Sequence, residues 1–176
     1  MLTTRLCTLL GVDFPIINAP MTGTATAELT AAVSKAGAFG MIGAGLDSDP
    51  AWLQEQLQTV REKTDRPFGV GFISSAPNLE KVIQYAIDAK VTAVGNSFTD
   101  PTPMVEAAKG TGVKVFAQVQ TMDFAKKAIA AGVDVIIAQG SEAGGHTSYL
   151  GTLSFVRAVV KIAGDIPVVA AGGIAD

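Results

Sequence analysis

The stretch Val133-Asp134-Val135-Ile136-Ile137-Ala138-Gln139-Gly140-Ser141-Glu142-Ala143-Gly144-Gly145-His146 passes from an apolar run into a glycine-rich turn that ends on the chain's only histidine. Val135 to Ala138 has the length and β-branching of a strand buried on both faces, which is how strands of parallel sheets read. The turn then lies at the strand's carboxyl end, where parallel α/β proteins bind ligands. Two glycines beside the imidazole leave room for a ligand to approach the backbone, and their amides are free to donate to an anion. Residues 139–146 therefore read as the lip of an active site.

Working outward, six more runs have strand character: Pro15 to Ala19, Phe39 to Ala44, Phe68 to Ile73, Ala93 to Asn96, Lys114 to Gln120 and Pro167 to Ala171. With Val133 to Ala138 they make seven expected strands. Helical periodicity fills the intervals at Thr26 to Ala36, Pro50 to Thr64, Asn78 to Lys90, Pro103 to Lys109, Met122 to Ala131 and Thr152 to Ala163. Gly37, Gly110, Gly132 and Gly164 terminate four of these helices. Asp49-Pro50 supplies an N-cap and a proline at the first helical position. Trp52, Leu53, Leu57 and Val60 share a stripe of that helix, so Trp52 reads as packing rather than as a stacking platform. Repeated βα alternation of this kind builds a parallel sheet.

An open doubly wound sheet and a (β/α)8 barrel both satisfy the alternation. Gln118 and Gln120 share one face of their strand while Val115, Ala117 and Val119 share the other. A sheet covered by apolar helices on both sides would bury those glutamines without partners, whereas a barrel gives them a mouth to line. The expected fold class is thus α/β, a (β/α)8 TIM barrel. Seven strands are one short of closure, so residues 1–176 read as the N-terminal part of a single barrel domain truncated after the seventh strand, with strand eight absent. The alternative is an open seven-stranded sheet.

At 176 residues, 48% hydrophobic and 16% charged, the chain is large enough for one domain with a substantial core. No apolar run reaches the roughly 18 residues a membrane helix needs, and the amino terminus has no secretory pattern, which points to the cytoplasm. Net charge is −3 and the 13 basic residues are scattered, which argues against nucleic acid as a partner. The single cysteine, Cys7, has no disulfide partner and no zinc-ligand spacing around it, so it reads as a plain buried or half-buried residue and no metal site is expected.

Four segments together resemble the nitronate monooxygenase family, formerly 2-nitropropane dioxygenases, which are FMN-dependent barrels related to the flavin-containing enoyl-ACP reductases. They are Asn18-Ala19-Pro20-Met21, the AGAFGMIGAG run at Ala36 to Gly45, the QGSEAGGH segment, and IPVVAAGGIAD at Ile166 to Asp176. The resemblance implies oxidation of alkyl nitronates, or nitroalkanes, by dioxygen to carbonyl compounds and nitrite. It implies that Ala19, Pro20 and Met21 lie against the flavin ring, that Gly144 and Gly145 approach the cofactor, and that Gly172 and Gly173 give amides to its phosphate. Gln118 and Gln120 would face the flavin or line the mouth. His146 matches the family's catalytic histidine, the base that removes the α-proton of a neutral nitroalkane; an imidazole with an unperturbed pKa of about 6.5 suits that role. Ser141 and Glu142 are open between orienting the imidazole and standing as exposed turn residues. Gly69-Val70-Gly71-Phe72 departs from the family, many members of which carry a polar residue late in that strand. Two alternatives remain: an enzyme reducing enoyl thioesters with NAD(P)H on the same flavin and fold, and a non-catalytic half-barrel that needs a partner chain.

Overall fold

The computed structural model describes residues 3–45, 48–75 and 79–174. Six parallel strands alternate with helices. They are β1 (Gly40–Ala44), β2 (Phe68–Ile73), β3 (Ala93–Ser97), β4 (Lys114–Val119), β5 (Val135–Gln139) and β6 (Val168–Ala171), and they pair in the order β1-β2-β3-β4-β5-β6. A doubly wound sheet reverses its order at a switch point. This one never does, which is the winding of a barrel.

Helices α2 (Ala27–Lys35), α3 (Pro50–Lys63), α4 (Glu80–Asp88), α5 (Thr102–Ala108), α6 (Met122–Ala131) and α7 (Thr152–Ala163) occupy the six expected intervals. The expected start of α4, Asn78, lies outside the described residues, as do Ala175 and Asp176 of the last motif. The Asp49 carboxylate accepts from the Trp52 amide at 2.7 Å, and Trp52 packs on the core as expected. Gly132 closes α6 in the left-handed conformation at φ 81°, a position where a side chain would be strained.

All six of these helices pack on one face of the sheet. Ile42, Val70, Phe72, Val94, Val115 and Ile136 face them in one core. The other face is the concave interior. Phe39, Met41, Ala93, Phe116 and Val135 point into it, and a helix that sequence periodicity did not reveal, α1 (Arg5–Leu10), closes its amino end with Leu6, Cys7 and Leu10. Cys7 is buried there as a free thiol, as expected. The rings of Phe39 and Phe116 stand 5.7 Å apart between centroids, although three strand spacings in a flat sheet amount to about 14 Å. The inward curl of the sheet lets them meet, and Gly69 leaves room for the Phe39 ring, which a Cβ there would approach at 3.1 Å. The fold is a six-stranded parallel half-barrel of the TIM type.

Of the seven expected strands, Pro15 to Ala19 is the one that does not form. It forms a single parallel bridge, Ile17 with Phe39. The Phe39 amide donates to the Ile16 carbonyl and the Asn18 amide to the Phe39 carbonyl. Beyond that, the Asn18 side chain replaces backbone: its Oδ1 accepts from the Met41 amide at 2.8 Å and its Nδ2 donates to the Met41 carbonyl at 3.0 Å. Pro20 cannot donate to a ladder, and from Ala19 onward the chain turns across the interior.

Candidate active site

The sequence-predicted site residues lie at the carboxyl end of the sheet in three groups. The first is the loop Ala19, Pro20, Met21. Asn18 Nδ2 also holds the Ala19 carbonyl at 3.0 Å, and the Met21 amide donates to the Ala19 carbonyl at 2.8 Å, so this loop is braced from within. A methyl group added at Gly71 would stand 2.4 Å from Pro20 Cγ, and one at Gly43 would stand 2.6 Å from the Met21 carbonyl carbon. The glycines of β1 and β2 are therefore the floor on which the loop rests. This gives the departure at Gly69-Val70-Gly71-Phe72 a packing reason: Phe39 and Pro20 fill the space that larger residues would take.

The second group is one hydrogen-bonded cluster. Inward positions alternate along β5 as Val135, Ile137 and Gln139, and Gln139 is 8% exposed. A buried amide needs partners. Gln139 Oε1 accepts from Gln118 Nε2 at 2.5 Å and from Gln120 Nε2 at 2.7 Å. Gln118 Oε1 accepts from Ser97 Oγ at 3.1 Å. Gln139 Nε2 donates to the Gly144 carbonyl at 3.3 Å, and Gln120 Nε2 donates to the His146 carbonyl at 2.6 Å. Gln118 and Gln120 thus line the mouth as the barrel reading requires, with much of their bonding capacity spent on protein. Gln139 was not among the expected site residues. The inward stripe of its strand, which ends one residue later than the sequence suggests, was the signal for it.

The imidazole of His146 is exposed and meets the ring of Phe98 edge-on, 5.9 Å between centroids. Gly144 and Gly145 are exposed beside it, and a Cβ on either would meet nothing within 4 Å. The turn therefore presents open backbone toward the mouth.

The third group is Gly172 and Gly173, at φ 127° and 68°. A Cβ on Gly172 would strike Thr152 Oγ1 at 2.5 Å, and one on Gly173 would stand 3.2 Å from Glu142 Cβ. Close packing against the β5–α7 loop requires glycine at both. Glu142 itself does not reach the imidazole. Its Oε2 accepts from the Thr152 amide at 2.7 Å, the Thr152 hydroxyl at 2.8 Å and Ser141 Oγ at 3.2 Å. It caps α7, where a carboxylate suits the positive end of the helix. The Thr152 amide, then its hydroxyl, hold the Glu142 carboxyl below the ordinary value for glutamate. Ser141 and Glu142 bond to each other, Glu142 bonds also to Thr152, and neither makes a hydrogen bond to the imidazole.

No hydrogen bond joins the Ala19–Met21 loop to the histidine turn among the described residues. Among the described residues, no three His, Cys, Asp or Glu side chains gather to hold a metal ion, and no helix is long and apolar enough to cross a membrane.

Known proteins resemble this chain in sequence and fold. A family model described as nitronate monooxygenase matches residues 3–86 and 75–176, two segments that overlap over residues 75–86. A probable nitronate monooxygenase of Staphylococcus saprophyticus is 34% identical over 222 residues, covering 99% of this chain and 62% of the relative. FabK from Thermotoga maritima matches with a TM-score of 0.95 at 38% identity, over 100% of this chain and 56% of that one. Nitroalkane oxidase from Streptomyces ansochromogenes matches with a TM-score of 0.86 at 28% identity, over 97% of this chain and 61% of that one. The chain spans about three fifths of the length of the curated relatives it matches. With sequence matches across both halves and a shared half-barrel, the chain belongs to the nitronate monooxygenase family of enzymes.

Proposed function

We propose that the protein is an FMN-dependent oxidoreductase, working in the cytoplasm, that oxidises alkyl nitronates or nitroalkanes with dioxygen to carbonyl compounds and nitrite. The observation that carries this reading is the sole histidine, exposed on an open glycine turn at the carboxyl end of the sheet, with an aromatic wall on one side. The family supports the flavin, and the local geometry fits one. Open backbone at Gly144 and Gly145 and a mouth lined by amide side chains accept a flat heteroaromatic ring with a polar edge. FMN, when bound, supplies the electron transfer to dioxygen.

The chain's own residues handle position and protons. His146 takes the α-proton of a neutral nitroalkane onto a ring nitrogen; a nitronate has already lost that proton, so toward it the histidine acts in binding. The braced Ala19-Pro20-Met21 loop forms one wall against the ring, and Gly172 and Gly173 contribute amides toward the phosphate. Gln118 and Gln120 close the polar side of the mouth.

The test begins with the absorption spectrum of the protein after incubation with FMN and removal of free flavin, followed by oxygen uptake with a secondary nitroalkane and with its nitronate. His146→Ala is expected to slow the neutral substrate by about 10²-fold relative to the nitronate. Equal losses on both would remove the base role. The likeness to FabK, the higher in identity of the two solved structures, supports a second reading in which an enoyl thioester is reduced by NAD(P)H on the same scaffold. NAD(P)H oxidation that depends on an enoyl thioester would establish it against the first.

A further inference from the structure

The Gly144–Gly145–His146 turn has little to hold it. Its residues are exposed, and its two glycines have no side chains to pack. The loop that contains it is pinned at its two ends, by Glu142 on Thr152 and by the Ser141 amide on the Leu150 carbonyl at 2.8 Å. Between those pins, the hydrogen bonds that reach residues 144–149 among the described residues come from two side chains, Gln139 on the Gly144 carbonyl and Gln120 on the His146 carbonyl. Gln120 is in turn held by Gln139.

We propose that Gln139 is the positioning residue of the histidine turn: its buried amide, rooted in β5, fixes the Gly144 carbonyl directly and the His146 carbonyl through Gln120. An amide is the side chain that does this. Gln139 Oε1 gathers Gln118 and Gln120, so both lone-pair directions are used, while Nε2 donates outward to the turn. Glutamate would offer the acceptors without the donor, and methionine neither. Because Gln118 also bonds Ser97 on β3, the position of the turn is referred to three strands of the sheet rather than to the turn's own residues.

The catalytic consequence rests on the proposed role of His146 as base, but the positional one does not. The chain has one histidine, so its imidazole protons give a single assignable set of NMR signals. In the wild-type protein these protons are expected to show a nuclear Overhauser effect to the Phe98 ring. Gln139→Met is expected to abolish it while far-UV circular dichroism stays unchanged. In the FMN-loaded enzyme the same variant is expected to lower the rate on a neutral nitroalkane by about 10-fold to 10²-fold relative to its nitronate, the scale of loss for a misplaced catalytic group. A retained Overhauser effect together with an unchanged rate ratio would overturn the inference. Should Gln139→Met not fold, Gln120→Met, at the half-buried position just past β4, is expected to give the same two losses. A wild-type protein that turns over neither substrate defeats the proposed function and leaves the NMR comparison to decide this one.

Discussion

Phe98 meets His146 edge-on, with ring planes at 76°, and it does so from a left-handed backbone at φ 68°. For a residue with a bulky side chain that conformation costs about 1–2 kcal/mol. Asn96 closes the turn in which Phe98 stands: its Nδ2 donates to the Thr99 carbonyl at 2.8 Å and its Oδ1 accepts from the Thr99 hydroxyl at 2.9 Å. Strain in the turn that follows β3 thus accompanies the contact between the Phe98 ring and the imidazole carried by the β5–α7 loop.

Asn96→Ala is expected to release that turn. Removing a buried amide that closes two hydrogen bonds should lower unfolding free energy by about 1–3 kcal/mol in urea titration. The Phe98–His146 contact should disappear from NMR spectra at the same time. Lost stability with an intact contact would mean that Phe98 is held by something other than Asn96.

Glu142 gives the fold a pH dependence with a definite sign. Its carboxyl is held below the ordinary 4.5 by the Thr152 amide and hydroxyl. The unfolded chain therefore takes up a proton first as pH falls. The contribution to stability is fully present above about pH 4.5 and is lost as pH drops through the lowered folded value. Glu142→Gln should flatten the acid limb of a melting-temperature profile while changing the neutral region less. Asp100, lowered by the hydroxyl and then the amide of Thr102, leaves part of the slope in place. An acid limb identical to wild type would show that the cap does not form in solution.

Two glycines on neighbouring strands should respond unequally to alanine. At Gly71 the new methyl would press on Pro20 Cγ and Cβ at 2.4 and 2.5 Å, in a loop braced by Asn18. At Gly95 it would approach the mobile end of Met41 at 3.3 Å. Gly71→Ala should cost about 1–3 kcal/mol and Gly95→Ala under about 1 kcal/mol by chemical denaturation. Equal costs would mean that the Ala19-Pro20-Met21 loop does not sit on β2.

Most of the barrel was legible because periodicity and punctuation agree. Helices α2 to α7 announce themselves by apolar stripes, and Asp49 and Thr121 accept from the amides of Trp52 and Phe124 as N-caps should. The same alternation that set Gln118 and Gln120 on the interior face foretold the barrel. Six residues were too few for α1 to show a period. The Pro15–Ala19 segment looks like a strand because its composition is right, but the partner it offers to β1 is the amide of Asn18, and a side chain standing in for backbone leaves no pattern. Glu142 illustrates another limit: a carboxylate four residues before a histidine is ambiguous until the threonine ten residues later is seen to claim it.

Asn18 has an effect beyond bracing the loop. Along the outer margin of β1, the amides of Phe39, Met41 and Gly43 are taken in turn by the Ile16 carbonyl, Asn18 Oδ1 and the Ala25 carbonyl. Two stretches of chain, residues 16–18 and the turn at Ala25, neither of them a strand, leave that margin with no row of free donors. A foreign strand that approached would find nothing to zip onto, so this side of the sheet resists recruitment into intermolecular sheets without a charged residue or a bulge to guard it.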